Sequence, residues 1–283
     1  MAICVSLINM KGGVGKTTLA SQISWYAARR LDKKVLLIDL DPQANASQSI
    51  MSPKTWVEYL SNGGLTVADI FEQFSPTGTA SGSPKNLDPL KVIYPRVEYA
   101  DGSLLHLVPS RLELSWTLRN PHDKESLLPR FVAKVQDKYD LIVLDCSPTD
   151  SMLTDAAYHC SRYIVVPIRA EFLASIGFPL LNRSINAFKM RHEDKMIEVC
   201  GLVFNDFVRG NMKREHRLAR KDVKDKAAEY GWYVFKNDIP HSDSYYRAAR
   251  DGMPIESTKG THEKVKDEFS GFATEFLIGL VYD

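Results

Sequence analysis

Apolar residues cluster in short runs along the chain, and polar segments of helical length separate many of these runs. Each run is 4 to 6 residues long, is rich in Val, Ile and Leu, and lacks polar alternation. The runs lie at residues 3–8, 34–38, 104–108, 141–144, 163–167, 199–204 and 232–235. Runs of this kind are typical of strands that are covered on both faces, as in a parallel sheet.

The segments between the runs favour helices on both faces of such a sheet. Residues 18–31 are an example, because Ala20, Ile23 and Ala27 recur at helical spacing. Alternating strands and helices predict a doubly wound, mostly parallel α/β sheet flanked by helices. Residues 74–90 are dominated by Pro, Gly, Ser and Thr, so we expect a surface loop within one domain that spans 1–283.

Composition narrows the class of protein only modestly. The 283 residues are 44% hydrophobic and 25% charged, as in ordinary globular proteins. The net charge of +1 does not favour nucleic acid by itself, so a DNA-binding surface must be a local patch. The four cysteines form no C-x-x-C pair, which argues against a zinc site or a disulfide framework. No apolar stretch approaches the roughly 18 residues that cross a bilayer, so we expect a cytoplasmic protein.

A glycine-rich segment follows the first strand and precedes the first helix. Gly12, Gly13 and Gly15 would let successive backbone N–H groups converge on phosphate oxygens, and the start of the helix adds to the attraction. Lys16 is placed to bridge the β- and γ-phosphates of a nucleotide, and the Thr17 hydroxyl to ligate Mg²⁺. Strand, glycine loop and helix together predict a nucleotide-binding P-loop.

The loop departs from the usual pattern G-x-x-x-x-G-K-[ST] at two positions. Met10 stands where the first glycine belongs, and Lys11 adds a second lysine. The segment K-G-G-V-G-K-T-T, residues 11–18, resembles the deviant Walker A motif of the ParA/MinD superfamily, and its ParA branch in particular. The resemblance implies that Lys11 reaches across an ATP-dependent sandwich homodimer to the phosphates of the other subunit. It also implies nucleotide contacts from Lys11, Gly12, Gly13, Val14, Gly15, Lys16, Thr17 and Thr18.

Asp39 and Asp41 close the apolar run that begins at residue 34. Doubly wound sheets bind their ligands at such strand ends. The segment D-L-D-P-Q-A-N, residues 39–45, resembles the ParA motif D-x-D-P-Q-x-N, which implies that Asp41 orients or activates the attacking water. Asp39 is expected to support the loop or the metal shell, or else to cap a helix N-terminus.

Asp145 follows the apolar residues 141–144 and fits a Walker B carboxylate, which holds Mg²⁺ directly or through water. The predicted metal-binding residues are Thr17, Asp41 and Asp145, and the predicted catalytic residues are Lys11, Lys16 and Asp41. The segment is similar to the switch II motif of the family, D-C-P-P, but Ser147 replaces the first proline. Thr149-Asp150-Ser151 then lacks a glycine that is often present, which leaves the switch geometry open.

Asn205 follows a strand, and its amide can both donate to and accept from an adenine edge. By resemblance to the C-terminal segments of ParA proteins, Asn205 and Pro240 are adenine contacts. Both positions also suit ordinary turns, and that alternative stays open.

Residues 209–226 form the one concentrated basic stretch. Several of its cations are four residues apart, so a helix would carry them as a stripe. The predicted DNA-binding residues are Arg209, Lys213, Arg214, Arg217, Arg220, Lys221 and Lys224. ParA-type proteins bind DNA without sequence preference as ATP-bound dimers, for which phosphate contacts suffice. A solvated charged helix is the alternative, because acidic residues are interspersed.

A MinD-like membrane cycle is the alternative function. It needs a basic amphipathic C-terminal helix, whereas residues 265–281 combine Phe269, Phe272 and Phe276 with several acidic residues. We therefore expect a last helix that packs on the core. An electron carrier similar to the nitrogenase reductase would need cluster-bridging cysteines, and Cys146 and Cys160 lie in no such motif.

The resemblance covers most of the chain and is weakest at residues 51–100. It implies an ATPase that uses ATP and Mg²⁺, dimerises, binds nonspecific DNA and positions a plasmid, a chromosome or another cargo. A ParB-like adaptor would stimulate its slow hydrolysis. We expect no helix-turn-helix extension before the first strand, and we expect association with the nucleoid and not with a membrane.

Overall fold

One seven-stranded sheet lies at the centre of the molecule. The structure, a computed structural model, describes residues 1–72, 87–119, 124–171, 177–205 and 214–281. The strands are β1 (Ile3–Leu7), β2 (Lys34–Leu40), β3 (Tyr94–Glu98), β4 (Leu104–Val108), β5 (Leu141–Cys146), β6 (Tyr163–Ile168) and β7 (Glu198–Phe204). Their order is β3-β4-β2-β5-β1-β6-β7, and all neighbours are parallel except β3 with β4. The predicted doubly wound, mostly parallel sheet is confirmed.

Helices cover both faces of the sheet. They are α1 (Lys16–Arg30), α2 (Asn45–Met51), α3 (Pro53–Ser61), α4 (Val67–Phe71), α5 (Leu114–Thr117), α6 (Leu127–Val135), α7 (Met152–Cys160), α8 (Gly177–Arg191), α9 (Arg214–Glu229), α10 (Ser244–Asp251) and α11 (Glu263–Phe276). Short 3₁₀ turns lie at Pro89–Val92, Gln136–Lys138 and Ile255–Ser257, and a π-helical turn, Leu277–Val281, extends α11.

Side chains of the central strands alternate between two hydrophobic clusters, one on each face. Val35 and Leu37 pack in the cluster that contains residues of α1, whereas Leu36 and Ile38 pack in the opposite cluster. All four are fully buried. Burying one such side chain stabilises the fold by about 1.5–3 kcal/mol, so the continuous apolar run of β2 is explained by cover on both faces.

The strand order brings three strand ends together. β5 lies between β1 and β2, and both Leu7 and Asp39 lie opposite Asp145 in the register of the sheet. The loop after β1 and the two acidic corners therefore meet at the carboxyl edge, where doubly wound sheets bind ligands.

The antiparallel edge strand β3 has no counterpart among the predicted strands. Its residues are half-buried or exposed and include Pro95 and Arg96, so no continuous apolar run marks it. A proline is tolerated there because an edge strand has one unpaired side. Of the surface loop expected at 74–90, residues 74–86 lie outside the described part of the chain.

The prediction of a strand at residues 232–235 is wrong. Within the described residues this segment makes a single isolated bridge, between Val234 and Leu202 of β7. The next backbone N–H groups, those of Lys236 and Asn237, donate to the Glu275 carboxylate of α11, so they cannot extend a ladder.

The last helix packs on the core, as expected. Phe269, Phe272 and Phe276 of α11 are buried in the same cluster as the inner face of α1. Across the described ranges, no helix has both the length and the apolar character that crossing a bilayer requires.

Candidate functional site

The P-loop, residues 11–18, requires its glycines for two different reasons. Gly13 and Gly15 have φ angles of 72° and 94°, which glycine adopts without a steric penalty. Gly15 also has no room for a side chain, since a Cβ there would lie 1.9 Å from Nδ2 of Asn205. The Gly15 carbonyl accepts the N–H of Leu19 at 3.0 Å and so starts α1. The loop thus ends at a helix N-terminus, whose free N–H groups favour anions.

Two asparagine side chains hold the loop in place. Nδ2 of Asn9 donates to the carbonyl of Pro167 at the end of β6 (2.7 Å), and its Oδ1 accepts the N–H of Lys11 (2.9 Å). Nδ2 of Asn205, at the end of β7, donates to the carbonyl of Val14 (2.9 Å). Asn9 was not among the predicted site residues, because its partner Pro167 is 158 positions away in the sequence.

Asn205 and Pro240 lie at the same end of β7. Asn205 directly follows the strand, and the N–H of Ile239 donates to the carbonyl of Phe204 at 2.8 Å, which places the buried Pro240 beside it. Their contacts with adenine stay a prediction.

Lys16 is the buried cation of the site, with 6% of its surface exposed. Its Nζ donates to the carbonyl of Lys11 at 3.2 Å, so the side chain folds back over the loop. Burial lowers its pKa, and the nearby Asp145 carboxylate opposes that shift. An ammonium group desolvated in this way attracts a phosphate more strongly than one in water.

Asp39 supports the loop that follows β2. It is fully buried, and its oxygens accept hydrogen bonds from the N–H of Asp41 (3.1 Å) and from the N–H and hydroxyl of Ser47 (2.8 and 2.7 Å). Burial raises its pKa to about 7, although the Ser47 hydrogen bonds oppose this. Ser47 lies in the first turn of α2, so Asp39 joins the acidic corner to that helix. Asp41, in contrast, faces the cavity described below.

Asp145 is completely buried, and neither carboxylate oxygen has a hydrogen-bond partner among the described residues. Burial and the neighbouring Asp39 raise its pKa well above the usual range, and Thr17 and Lys16 oppose the shift. Orphaned carboxylate oxygens beside a threonine hydroxyl are the hard oxygen donors that Mg²⁺ prefers. The donor set of Thr17, Asp41 and Asp145 therefore fits the predicted magnesium site.

A cavity of about 800 Å³ opens above these groups. The predicted residues that line it are Gly12, Gly13, Gly15, Lys16, Thr17, Thr18 and Asp41. The other lining residues are Pro42, Gln43, Asn45, Ser49, Ser115, Leu118, Ser147, Pro148, Thr149 and Tyr246. The volume lies within the range of about 300–1,000 Å³ that is usual for small-molecule sites. No sequence motif marked Ser115, Leu118 or Tyr246, which reach the cavity from α5 and α10 and the turn after α5.

Lys11 does not line the cavity. Its Nζ forms an ion pair with Oε2 of Glu171 at 3.0 Å, and Oε1 of the same carboxylate pairs with Nε of Arg169 at 3.1 Å. About two fifths of each partner of the Lys11–Glu171 pair is exposed, 43% and 41%. The second lysine is thus outside its own phosphate site, at the surface.

The predicted basic stripe lies partly on α9. Its members among the described residues are Arg214, Arg217, Arg220, Lys221 and Lys224, and Arg209 and Lys213 lie outside those residues. Arg220 is engaged elsewhere, because Nη1 pairs with Oδ2 of Asp238 at 2.9 Å and its guanidinium lies 3.9 Å from the ring centroid of Phe204. Arg214, Arg217, Lys221 and Lys224 are exposed.

Similar proteins share the P-loop region and most of the chain. A family model described as an AAA domain matches residues 2–198. The chain is 30% identical to the sporulation initiation inhibitor protein Soj of Bacillus subtilis, with 90% of each chain covered. It is 28% identical to the chromosome-partitioning ATPase Soj of Treponema pallidum, over 88% of this chain and 87% of that one. It is also 28% identical to the chromosome partitioning protein ParA of Caulobacter vibrioides, over 89% and 85% of the two chains. The chain belongs to the ParA/MinD family.

Solved structures with the ParA/MinD fold superpose along nearly the whole chain. Apo McdA of Cyanothece has a TM-score of 0.77 at 16% identity and covers 98% of this chain and 100% of its own. A cobyrinic acid a,c-diamide synthase of Mycobacterium smegmatis, with a bound ATP analogue and magnesium, has a TM-score of 0.73 at 21% identity, covering 98% and 94%. A plasmid partition protein of Borrelia burgdorferi bound to AMPPNP has a TM-score of 0.72 at 22% identity, covering 99% and 100%. At these identities the likeness shows a shared fold.

The chain departs from the switch II motif of the ParA/MinD family after Asp145. Ser147, which replaces a proline, shares a hydrogen bond with the Thr149 hydroxyl at 3.0 Å. The Thr154 hydroxyl of α7 donates to the Thr149 carbonyl. Side-chain hydrogen bonds therefore hold this segment against the start of α7.

Proposed function

We propose that the protein is a ParA-type ATPase that hydrolyses ATP with Mg²⁺. The observation that carries the proposal is the single cavity that unites the P-loop, Lys16 and Asp41 above the orphaned carboxylate of Asp145. The bound ATP analogue and magnesium of a protein with the same fold support this choice of ligand.

Phosphate binding, orientation of the attacking water and metal binding are assigned to particular residues of the chain. The N–H groups of the P-loop and Nζ of Lys16 would bind the β- and γ-phosphates and stabilise charge on the transferring group. Asp41, which faces the cavity, would orient the attacking water or accept its proton. Mg²⁺, when bound at Thr17, Asp41 and Asp145, supplies positive charge to the phosphate oxygens. The described residues hold no group of three His, Cys, Asp or Glu for a metal, and proteins usually bind Mg²⁺ through one or two carboxylates together with substrate phosphates.

ATP binding would be linked to dimerisation through Lys11. Its side chain does not line the cavity of its own subunit and is held by a surface ion pair, which costs only about 0.2–1 kcal/mol to break. In a sandwich homodimer, Lys11 would reach the phosphates of the other subunit. Tyr246 lines the cavity and is exposed, and Trp116, which follows the lining residue Ser115 in the sequence, is exposed too. These two aromatic side chains support an apolar contact with a second chain.

The ATP-bound dimer would bind nonspecific DNA through α9. The exposed cations of this helix support phosphate contacts, and two copies in a dimer strengthen binding. The buried aromatic face of α11 leaves those side chains unable to insert into lipid, which supports DNA over a membrane surface. The names of the Soj and ParA relatives support partition as the role, with a ParB-like adaptor as activator and a plasmid, a chromosome or another cargo at the nucleoid.

Trapping the ATP-bound dimer tests the proposal. Asp41→Ala should bind ATP but hydrolyse it at least about tenfold more slowly, and light scattering should then show a dimer in Mg–ATP. Lys16→Ala is the matched control, because it loses the phosphate contact and should stay monomeric. Parental hydrolysis by Lys16→Ala contradicts the assigned site, and a monomeric Asp41→Ala protein contradicts the sandwich.

Co-sedimentation with DNA and with anionic liposomes distinguishes DNA binding from membrane binding. Binding to DNA should require ATP, and the double variant Arg217→Ala/Lys221→Ala should reduce the slope of log K against log salt by about 2 per subunit. Lys54→Ala/Lys138→Ala, which removes two cations from other elements, is the control. ATP-dependent binding to liposomes without binding to DNA would favour the membrane cycle instead.

A further inference from the structure

The segment after β5, residues 147–151, separates two cavities and is called the switch segment below. Its first three residues, Ser147, Pro148 and Thr149, line the large cavity that we assign to ATP. Its last two, Asp150 and Ser151, line a second cavity of about 290 Å³ between the start of α7 and the middle of α8. The switch segment thus forms part of the wall of both cavities. A displacement of the residues at one cavity should therefore shift the residues at the other.

A relay of three side chains ties the switch segment to α8. The Tyr158 hydroxyl of α7 donates to Oγ of Ser184 at 3.3 Å, and that Oγ donates to Oδ1 of Asp150 at 2.8 Å. Each hydroxyl carries one proton, so the chain of donors runs in one direction and ends at the carboxylate. Burial raises the pKa of Tyr158, which keeps its proton in place.

The relay joins a buried end to an exposed end. Tyr158 and Ser184 are buried, with 1% and 8% of their surface exposed, and Tyr158 packs on Phe188 of α8 with ring centroids 5.3 Å apart. Asp150 is exposed and belongs to a turn between β5 and α7. The bond from Ser184 is therefore what connects this turn to the packed interior on the side of α8.

We propose that Ser184 is a positioning residue for ATP hydrolysis, which acts through Asp150 to hold the switch segment at the wall of the nucleotide cavity. The proposal rests on the ATPase function proposed above. Ser184 lines neither the P-loop nor the nucleotide cavity, so its loss should leave the binding of phosphates and base intact. It should instead loosen Ser147 and Thr149, next to the space where the attacking water must be aligned, and misalignment of that kind lowers turnover.

Steady-state ATP hydrolysis by the full chain tests the relay. Ser184→Ala and Asp150→Ala should each lower kcat about threefold to tenfold and leave KM for ATP within about twofold of the parent. Because both changes break the same hydrogen bond, the double variant should be no slower than the worse single variant. Ser184→Thr, which keeps a hydroxyl, should recover most of the lost kcat.

Ser103→Ala is the matched control. Ser103 is also buried and also donates to an aspartate, Asp101, at 2.6 Å, but it lies in the turn before β4, which is next to the edge strand β3. Its loss should leave kcat unchanged.

Each outcome decides the matter. Parental kcat in Ser184→Ala and Asp150→Ala, additive losses in the double variant, or an equal fall in Ser103→Ala would overturn the proposal while leaving the ATPase function in place. A parental chain that binds no ATP or does not hydrolyse it would overturn the function itself. If Ser184→Ala fails to fold, Asp150→Ala at the exposed end still tests the relay.

Discussion

At the scale of single residues, Lys11 separates this chain from an ordinary P-loop protein. Lys11→Ala should keep ATP affinity within about threefold, because the side chain lies outside the cavity of its own subunit. Hydrolysis should fall at least about tenfold, because a cation at the β–γ bridge would be missing from the dimer. Titration with a fluorescent ATP analogue measures the first quantity, and phosphate release measures the second.

Lys54→Ala is the control for this prediction. Lys54 is 87% exposed, and its contact with Glu58 is long, at 3.9 Å. Both binding and hydrolysis should match the parent in this variant. Hydrolysis at the parental rate by Lys11→Ala would mean that the loop acts as an ordinary P-loop, in which Lys16 is the lysine that binds the phosphates.

The sequence predicts those residues of the site that lie within a contiguous motif. The P-loop is contiguous, and Asp41 and Asp145 each end their own apolar run, so adjacent residues specify the prediction. Asn9 and Glu171 could not be found in this way, because their partners are 158 and 160 positions away. Only the strand order brings the ends of β1 and β6 together and so creates these contacts.

At the scale of elements, the segment before Pro240 is held by α11 as well as by a few backbone hydrogen bonds to β7. The Glu275 carboxylate accepts the Tyr233 hydroxyl (2.7 Å), the N–H of Lys236 (3.0 Å) and Nδ2 of Asn237 (2.9 Å). Although burial alone would raise its pKa, these hydrogen bonds lower it below the usual value. Apolar residues at 232–235 suited a strand, but pairing with β7 stops after Phe235, because the Glu275 carboxylate takes the N–H groups of Lys236 and Asn237.

Glu275→Gln should therefore weaken ATP binding without slowing the chemical step. The amide places a donor against groups that are themselves donors, so the segment that carries Pro240 should shift. We expect KM for ATP to rise about threefold to tenfold, with kcat within about twofold. Glu263→Gln on the same helix, 78% exposed and paired with Lys266, is the control. An unchanged KM with a lower melting temperature would limit Glu275 to a structural role.

At the scale of the whole molecule, the fold positions buried carboxylates at the carboxyl ends of two central strands. The apolar strands and both hydrophobic clusters follow from the sequence pattern, and they leave the central strand ends completely desolvated. Asp39 and Asp145 occupy those ends with no exposed surface, which costs free energy in the metal-free chain. Stability and function are therefore opposed at the same two carboxylates, as is common for active sites.

This opposition predicts how stability depends on pH without metal or nucleotide. Burial raises the pKa of Asp39 to about 7 and that of Asp145 well above its usual value. An unfolded aspartate titrates near about 3.9, so between about pH 4 and pH 7 the folded chain binds more protons than the unfolded chain. The contribution of these groups to the free energy of unfolding should therefore fall as pH rises through that window.

Asp145→Asn should reduce this fall, because it removes a buried charge whose oxygens have no partner among the described residues. Urea denaturation in EDTA should show the variant about 1–3 kcal/mol more stable than the parent at pH 8, with a smaller difference at pH 5. Exposed Asp137→Asn should follow the parent at both pH values. The stabilised Asp145→Asn protein should have lost Mg²⁺-dependent hydrolysis, since it lacks the carboxylate that the ion requires. A variant less stable than the parent at pH 8 would mean that Asp145 is paired in solution, and the magnesium assignment would lose its structural argument.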